Sequence, residues 1–392
     1  MGYEIYGLKD NPFPRGGAIL KPESQDPREN GSIFSVNARA EEIKEFEEKF
    51  IGTKTSFDDR IRCGFLWADG DRTTGRGMGK TALAVYMKHK INDGYGKNYF
   101  DGGKKFFCSY ISFNQQMVAK IGLFFQEALH SFIKDRIFEE ISRATNVDTL
   151  VRNGVDARFA QEVANNSVRR YLEEKVLGHP LHIRDTKMDW RVDHILKDLF
   201  LNQTTRCLKT AGFAGGILLV DDIENLTDRS TPRQIETFIK DFGLSFFRTG
   251  NEASNSNFYT IILTTHQQSA RKISQAWTVA GLSASFPLDD RGYASLLTRK
   301  PELEQAIDMV IQYIRTYRDP TFNSPSDYYP FTEDAIKTVI KECDFHPRRF
   351  LSRFNRIMVE AVSRGITEIT AEFVKTVPEV EESEDLPGIE EL

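Results

Sequence analysis

The chain has 392 residues, 40% of them apolar and 28% charged, with 29 Phe and 13 Tyr, so it holds ample material for a packed core and exceeds a single small module. Lys and Arg number 52 against 57 Asp and Glu, a net charge of -5, which excludes a surface coated in positive charge for general nucleic-acid binding. Cys63, Cys108, Cys207 and Cys343 form no C-x-x-C pair, so neither a zinc knuckle nor a disulfide framework is expected. No apolar run reaches the roughly 18 residues of a membrane span, and the first residues show no basic segment followed by an apolar one. Both readings point to the cytoplasm and away from a membrane.

In chain order, a loop rich in Pro, Gly and charge at 12–32 precedes a helical pattern at 38–50, with Ile43, Phe46 and Phe50 on one face. A strand is expected at 61–67, then a glycine-rich loop at 70–79, then a helix at 80–90. Further strands are expected at 105–113, 216–220, 258–263 and near 283–288, with helical patterns between them. The run Gly216-Ile217-Leu218-Leu219-Val220 is short and uniformly apolar, as in a parallel sheet covered on both faces. Strands alternating with helices predict an α/β fold, a parallel sheet sandwiched by helices.

From Lys80 to Asp221 is 141 residues, whereas two helices, a strand and their loops need only about 50. The surplus is patterned: Ile121, Phe125, Leu129, Phe132, Ile133 and Ile137 fall on one helical face, and further helical stretches follow at 158–174 and 190–210. This predicts a helical insertion at about 114–211. Beyond residue 290 the pattern is helical only, at 302–317, 332–343, 348–364 and from Thr370, with Thr332 as an N-cap. The expected division is a lead-in at 1–60, an α/β domain at 61–290, an all-helical domain at 291–377 and a disordered tail at 378–392, which holds seven acids and no base.

The chemistry concentrates in Gly75-Arg76-Gly77-Met78-Gly79-Lys80-Thr81, after a strand and opening a helix. Glycines there let backbone N–H groups close around phosphate oxygens, and a helix N-terminus adds partial positive charge. Lys80 would neutralise the β and γ phosphates of ATP, Thr81 would ligate Mg2+, and Ala82 completes the set. The usual pattern, G-x-x-x-x-G-K-[ST], would put its first glycine where Thr74 stands; either Gly75 substitutes, or Gly70 does so with four extra residues in the loop. The run Ile217-Leu218-Leu219-Val220-Asp221-Asp222 supplies the complementary half, since a buried strand ending in acids delivers carboxylates to the carboxyl edge of the sheet. Asp221 would hold the magnesium ion through water. Asp222 would polarise the attacking water, with Glu224 as the reserve.

With these motifs the chain resembles the AAA+ P-loop ATPases, over residues 1–113 and 212–376. The resemblance implies a helical lid at 291–377 and further site residues. Thr264, in Thr264-Thr265-His266, falls where this family carries its sensor 1 polar residue, with Thr265 or His266 in reserve. His346-Pro347-Arg348-Arg349-Phe350 is similar to the sensor 2 element, which aims an arginine at the γ-phosphate; Arg348 directly follows the proline. Tyr6-Gly7-Leu8 with Asn11-Pro12-Phe13 is similar to the opening of the general-secretion and transposition branches, and 34–42 to the segment lining their adenine pocket. The origin-recognition branch shares the layout. Arg271 and Arg291 are both candidates for an arginine finger. The resemblance implies ATP hydrolysis coupled to conformational change, a homo-oligomer, and work on DNA or a DNA-processing protein partner, as in transposition, replication or phage defence. The alternative is a slow-hydrolysing nucleotide-dependent switch or scaffold that recruits protein partners.

Two other groupings stand apart. His179, His182 and Asp185 have metal-ligand spacing, but Pro180 breaks a helix there, so a loop is expected. Residues 336–364 carry a net charge of +4, which fits a DNA-facing surface and a solvated helix face equally well.

Overall fold

The computed structural model describes residues 2–15, 24–52, 61–68, 77–97, 99, 104–247, 258–282 and 295–378. Among these, the strands are β1 (Cys63–Ala68), β2 (Lys105–Ser112), β3 (Phe213–Asp221), β4 (Tyr259–His266) and β5 (Ser295–Thr298), in one sheet of order β2-β3-β4-β1-β5. The pairs β2–β3, β3–β4 and β1–β4 are parallel. Successive side chains of a strand point to opposite faces, so the unbroken burial of β4 means that both faces of the sheet are covered there. The fold is α/β.

The chain divides into two compact units, one of residues 44–75 and 87–297, the other of 1–43, 76–86 and 298–392. The first carries the sheet. Residues between β2 and β3 form a series of helices, among them Ile121–Lys134, Ile137–Ala144, Ala157–Ala164 and Trp190–Asp198. Their apolar faces belong to the same core as the sheet. A chain of rings makes this concrete: Phe107 on β2 meets Phe132 at 5.1 Å, Phe132 meets Phe200 at 5.2 Å, and Phe200 stacks on Tyr259 of β4 at 5.2 Å. Rings at these distances add electrostatic preference to burial. Phe124 is fully buried and packs against Phe125, Phe242 and Phe246. Phe124→Ala is expected to lower stability by about 3–5 kcal/mol, read as a shift in the urea midpoint at unchanged slope.

Three sequence expectations need correction. The face running from Ile121 to Ile137 is two helices, because Arg136 adopts φ 57° and breaks the chain after Lys134. The Asp135 side chain at that break is held by Lys88 at 2.9 Å and the Ser109 hydroxyl at 2.8 Å, while its N–H still donates to the Ser131 carbonyl at 2.8 Å. The apolar face survives because the turn keeps Ile137 buried. Second, the pattern beyond 290 is not helical only, since β5 lies at Ser295–Thr298; four residues are too few to show a period. The expected strand near 283–288 and the acidic residues 379–392 lie outside the described residues. Third, the strand expected at 258–263 is longer, running over Tyr259–His266 and taking in Thr264, Thr265 and His266.

The second unit has its own core, built by the helices Leu303–Tyr317, Glu333–Glu342, Pro347–Ser363 and Ala371–Thr376. Thr332 caps the second of these, accepting from the Ala335 N–H at 3.2 Å. Tyr6, Leu8 and Phe13 of the N-terminal segment are buried in that core. Two amides lock the segment reciprocally: Asn11 donates to the Asn355 carbonyl at 3.0 Å, and Asn355 donates to the Phe13 carbonyl at 2.6 Å. Buried amides satisfied on backbone groups hold one arrangement, because any other would leave them unpaired. No helix among the described residues is long and apolar enough to cross a membrane.

Candidate functional site

In the sheet unit, β1, β3 and β4 run parallel, so their carboxyl ends share one edge. β3 ends there in Asp221, which is 2% exposed. Its two carboxylate oxygens accept from different strands: Oδ2 from the Tyr110 hydroxyl of β2 at 2.7 Å, and Oδ1 from the Thr264 hydroxyl of β4. Register explains both. Asp221 pairs with Ser112, two residues from Tyr110 and on the same face, and Val220 pairs with Leu263, which puts Thr264 beside Asp221. An ionised carboxylate has about four acceptor positions, so two hydroxyl donors orient it and leave room for a further donor.

Asp222 follows at φ 59°, a left-handed conformation that turns the chain off the strand. The Asn225 N–H donates to the Asp222 carbonyl at 3.0 Å, and the Asn225 amide to the Phe113 carbonyl at 3.0 Å, tying this turn to the exit of β2. Asp222 is partly exposed, whereas Glu224 is buried at 4% exposure as the first residue of the helix Glu224–Arg229. Of the two acidic residues, Asp222 is the more exposed. Among the three sensor 1 candidates, Thr264 bonds Asp221 directly. The Thr265 hydroxyl donates to the His266 carbonyl at 3.4 Å, and His266 caps the helix Gln267–Val279 by accepting from the Ser269 N–H at 3.3 Å.

In the second unit, the loop before Lys80 is described from Gly77; Gly75 and Arg76, like Gly70, lie outside the described residues. Gly77 and Gly79 have φ 79° and 91°, the region only glycine enters cheaply. Lys80 opens the helix Lys80–Asn92 at 8% exposure, with Met78 buried and Thr81 and Ala82 partly buried. A Cβ on Gly77 would lie 2.4 Å from the Arg348 Cβ, so the loop backbone presses directly against the start of the helix Pro347–Ser363. The Arg348 Nε is buried and makes no hydrogen bond among the described residues. A cradle of glycine backbone beside a cationic donor without an acceptor fits an anionic ligand. Gly77→Ala is therefore expected to cost about 1–3 kcal/mol of stability through backbone strain, read as a lowered midpoint of thermal unfolding.

The remaining candidates divide. Arg271 is exposed and lines a cavity of about 890 Å3 with Trp67, Gln267, Ser274 and Thr278; Arg291 lies outside the described residues. Residues His179, His182 and Asp185 lie in turns and irregular backbone, and no group of three metal-ligating side chains exists among the described residues. In the basic run at 336–364, Arg353 is buried and donates to the carbonyls of Val377 at 2.5 Å and Pro378 at 2.6 Å. Lys337 pairs with Glu333 and Arg364 with Glu360. Three of the seven bases of the run thus have partners within the unit. Cys63, Cys108 and Cys207 are buried free thiols whose pKa burial raises, Cys207 to about 12, which suits packing rather than nucleophilic work.

Sequence reasoning missed two residues. Tyr110 read only as a strand position, because the register that sets Ser112 opposite Asp221 appears only in the sheet. Arg39 read as part of an amphipathic helix, yet it is buried against the Met78 carbonyl, and nothing local in the sequence marks it.

No family model and no curated protein matches the chain. It is similar to two solved structures of the ORC2 protein from Aeropyrum pernix. The ADP form aligns at 10% identity and TM-score 0.47, over 96% of this chain and 72% of that one. The ADPNP–ADP complexes align at 12% identity and TM-score 0.44, over 94% and 72%.

Proposed function

We propose that this chain is an AAA+ type protein that binds and hydrolyses ATP with magnesium and couples nucleotide state to conformational change and self-assembly. The observation that carries the reading is the carboxyl edge of the sheet. There β3 delivers a buried, hydroxyl-oriented Asp221 followed by a partly exposed Asp222, and β1 ends at the same edge; in the sequence β1 is followed by the glycine-rich stretch that ends in Gly77-Met78-Gly79-Lys80-Thr81. Backbone N–H groups of that loop with Lys80 would hold the β and γ phosphates. The sequence resemblance implies that the Thr81 hydroxyl and the Asp221 carboxylate, both hard oxygen donors, would hold magnesium. When bound, magnesium neutralises charge on the phosphates. Asp222 accepts a proton from, or orients, the attacking water, Thr264 fixes Asp221, and Arg348 of the proposed lid faces the phosphate loop.

The work of the protein, in the cytoplasm, is assigned to DNA or a DNA-processing partner. This part rests on the sequence resemblance. A second reading, the slow-hydrolysing switch, is favoured by one feature: Asp222 is one methylene shorter than a glutamate and is turned away from the strand by its left-handed backbone. Turnover of the wild-type protein with and without duplex DNA separates the two. Turnover that DNA stimulates supports the first reading, ATP binding without turnover in every condition supports the second, and absence of ATP binding ends both.

A further inference from the structure

We infer that Arg39 is a positioning residue that sets the phosphate-binding loop from behind and joins it to the entry of the helix Leu303–Tyr317. The inference deepens the ATP-binding reading and rests on it for the identity of the ligand.

Arg39 closes the helical turn Asn37–Arg39 and is 3% exposed. Its guanidinium reaches three segments of the same unit. Nη2 donates to the Met78 carbonyl at 2.8 Å. Nη1 donates to the Arg299 carbonyl at 2.7 Å and to Glu42 Oε1 at 2.8 Å. The same Glu42 oxygen accepts the Arg299 N–H at 3.3 Å. The pair thus takes both backbone polar groups of Arg299, which directly follows β5 and stands four residues before the helix Leu303–Tyr317.

Two physical arguments assign the role. A buried ion pair is weak evidence for stability, because desolvation offsets the attraction; what its forked hydrogen bonds secure is position. The second argument comes from peptide geometry. A trans peptide is planar with its C=O and N–H pointing oppositely. Drawing the Met78 carbonyl toward Arg39 therefore aims the Gly79 N–H away from Arg39. That orientation is what an anion-binding concavity of successive N–H groups requires. Gly79 makes the approach feasible, since a Cβ there would lie 3.3 Å from Arg39 Nη2 and its φ of 91° already excludes most side chains. Almost wholly buried, with its terminal nitrogens on carbonyl and carboxylate oxygens, Arg39 acts on a ligand only through the loop.

The test is Arg39→Lys, which keeps the charge and loses the fork, with the double substitution Arg39→Met and Glu42→Gln as the second variant should the lysine perturb folding. Two quantities are read: amide hydrogen exchange across the nucleotide-free protein, and ATP affinity by calorimetry. The expected result is exchange at least about tenfold faster in 77–82 and 299–302, unchanged protection in Pro347–Ser363, and ATP affinity lower by about tenfold to a hundredfold. Unchanged exchange in the loop, or an increase spread evenly over the whole unit, overturns the inference. If the wild-type protein binds no ATP, the functional reading fails, while the exchange measurement still decides whether Arg39 sets the loop.

Discussion

Lys80→Ala is expected to lower ATP affinity by about a hundredfold or more while leaving the unfolding midpoint nearly unchanged. Lys80 is the first residue of the helix Lys80–Asn92 and is 8% exposed, so its ammonium sits where water screens it poorly. A hydrogen bond to a charged group contributes about 1.5–3 kcal/mol, and a cation serving two phosphates forfeits more than one such bond when truncated. Calorimetric titration with ATP and with ADP checks this. Undiminished affinity in the variant would remove the phosphate-loop assignment, whatever the fold. Lys80→Arg provides a control for charge alone, because guanidinium shape differs from that of a compact ammonium.

The second large effect is expected at Asp222. Asp222→Asn keeps size and polarity and removes the basic oxygen, so ATP binding should persist while steady-state phosphate release falls by about a hundredfold to ten-thousandfold, the range of a positioned general base. Glu224→Gln should do much less, because Glu224 is buried at 4% exposure whereas Asp222 is partly exposed. If Glu224→Gln instead abolishes turnover and Asp222→Asn does not, the catalytic roles are exchanged. If the wild-type protein binds ATP without measurable turnover, the switch reading takes precedence.

The candidate site was legible where its chemistry is local. Gly77, Gly79, Lys80 and Thr81 lie within five positions of one another, and a run of four apolar residues before Asp221 announces a buried strand end. The insertion was legible for the same reason, since its helices each carry an apolar face at helical spacing. Its break at Arg136 was not, because the alternating demands of Lys88 and Ser109 on Asp135 come from other elements. β5 was missed because Ser-Leu-Leu-Thr is too short to display a period, and only the sheet gives it a place at the end of the strand order.

By itself the sequence determined the order of the first four strands and the helical stretches between them, the glycine-to-lysine opening of the helix Lys80–Asn92, and the acids that end β3. Each follows from spacing over a few residues, through backbone freedom at glycine and the two periods of side-chain direction. The tertiary structure alone decided the strand order β2-β3-β4-β1-β5, the two hydroxyls on Asp221, the contact of Gly77 with Arg348, and the hold of Arg39 on Met78. Those partners are separated by 111, 43, 271 and 39 positions in the chain. Which distant hydroxyl or guanidinium reaches a given oxygen depends on register and on the burial that excludes water from competing, and neither is written in the local pattern.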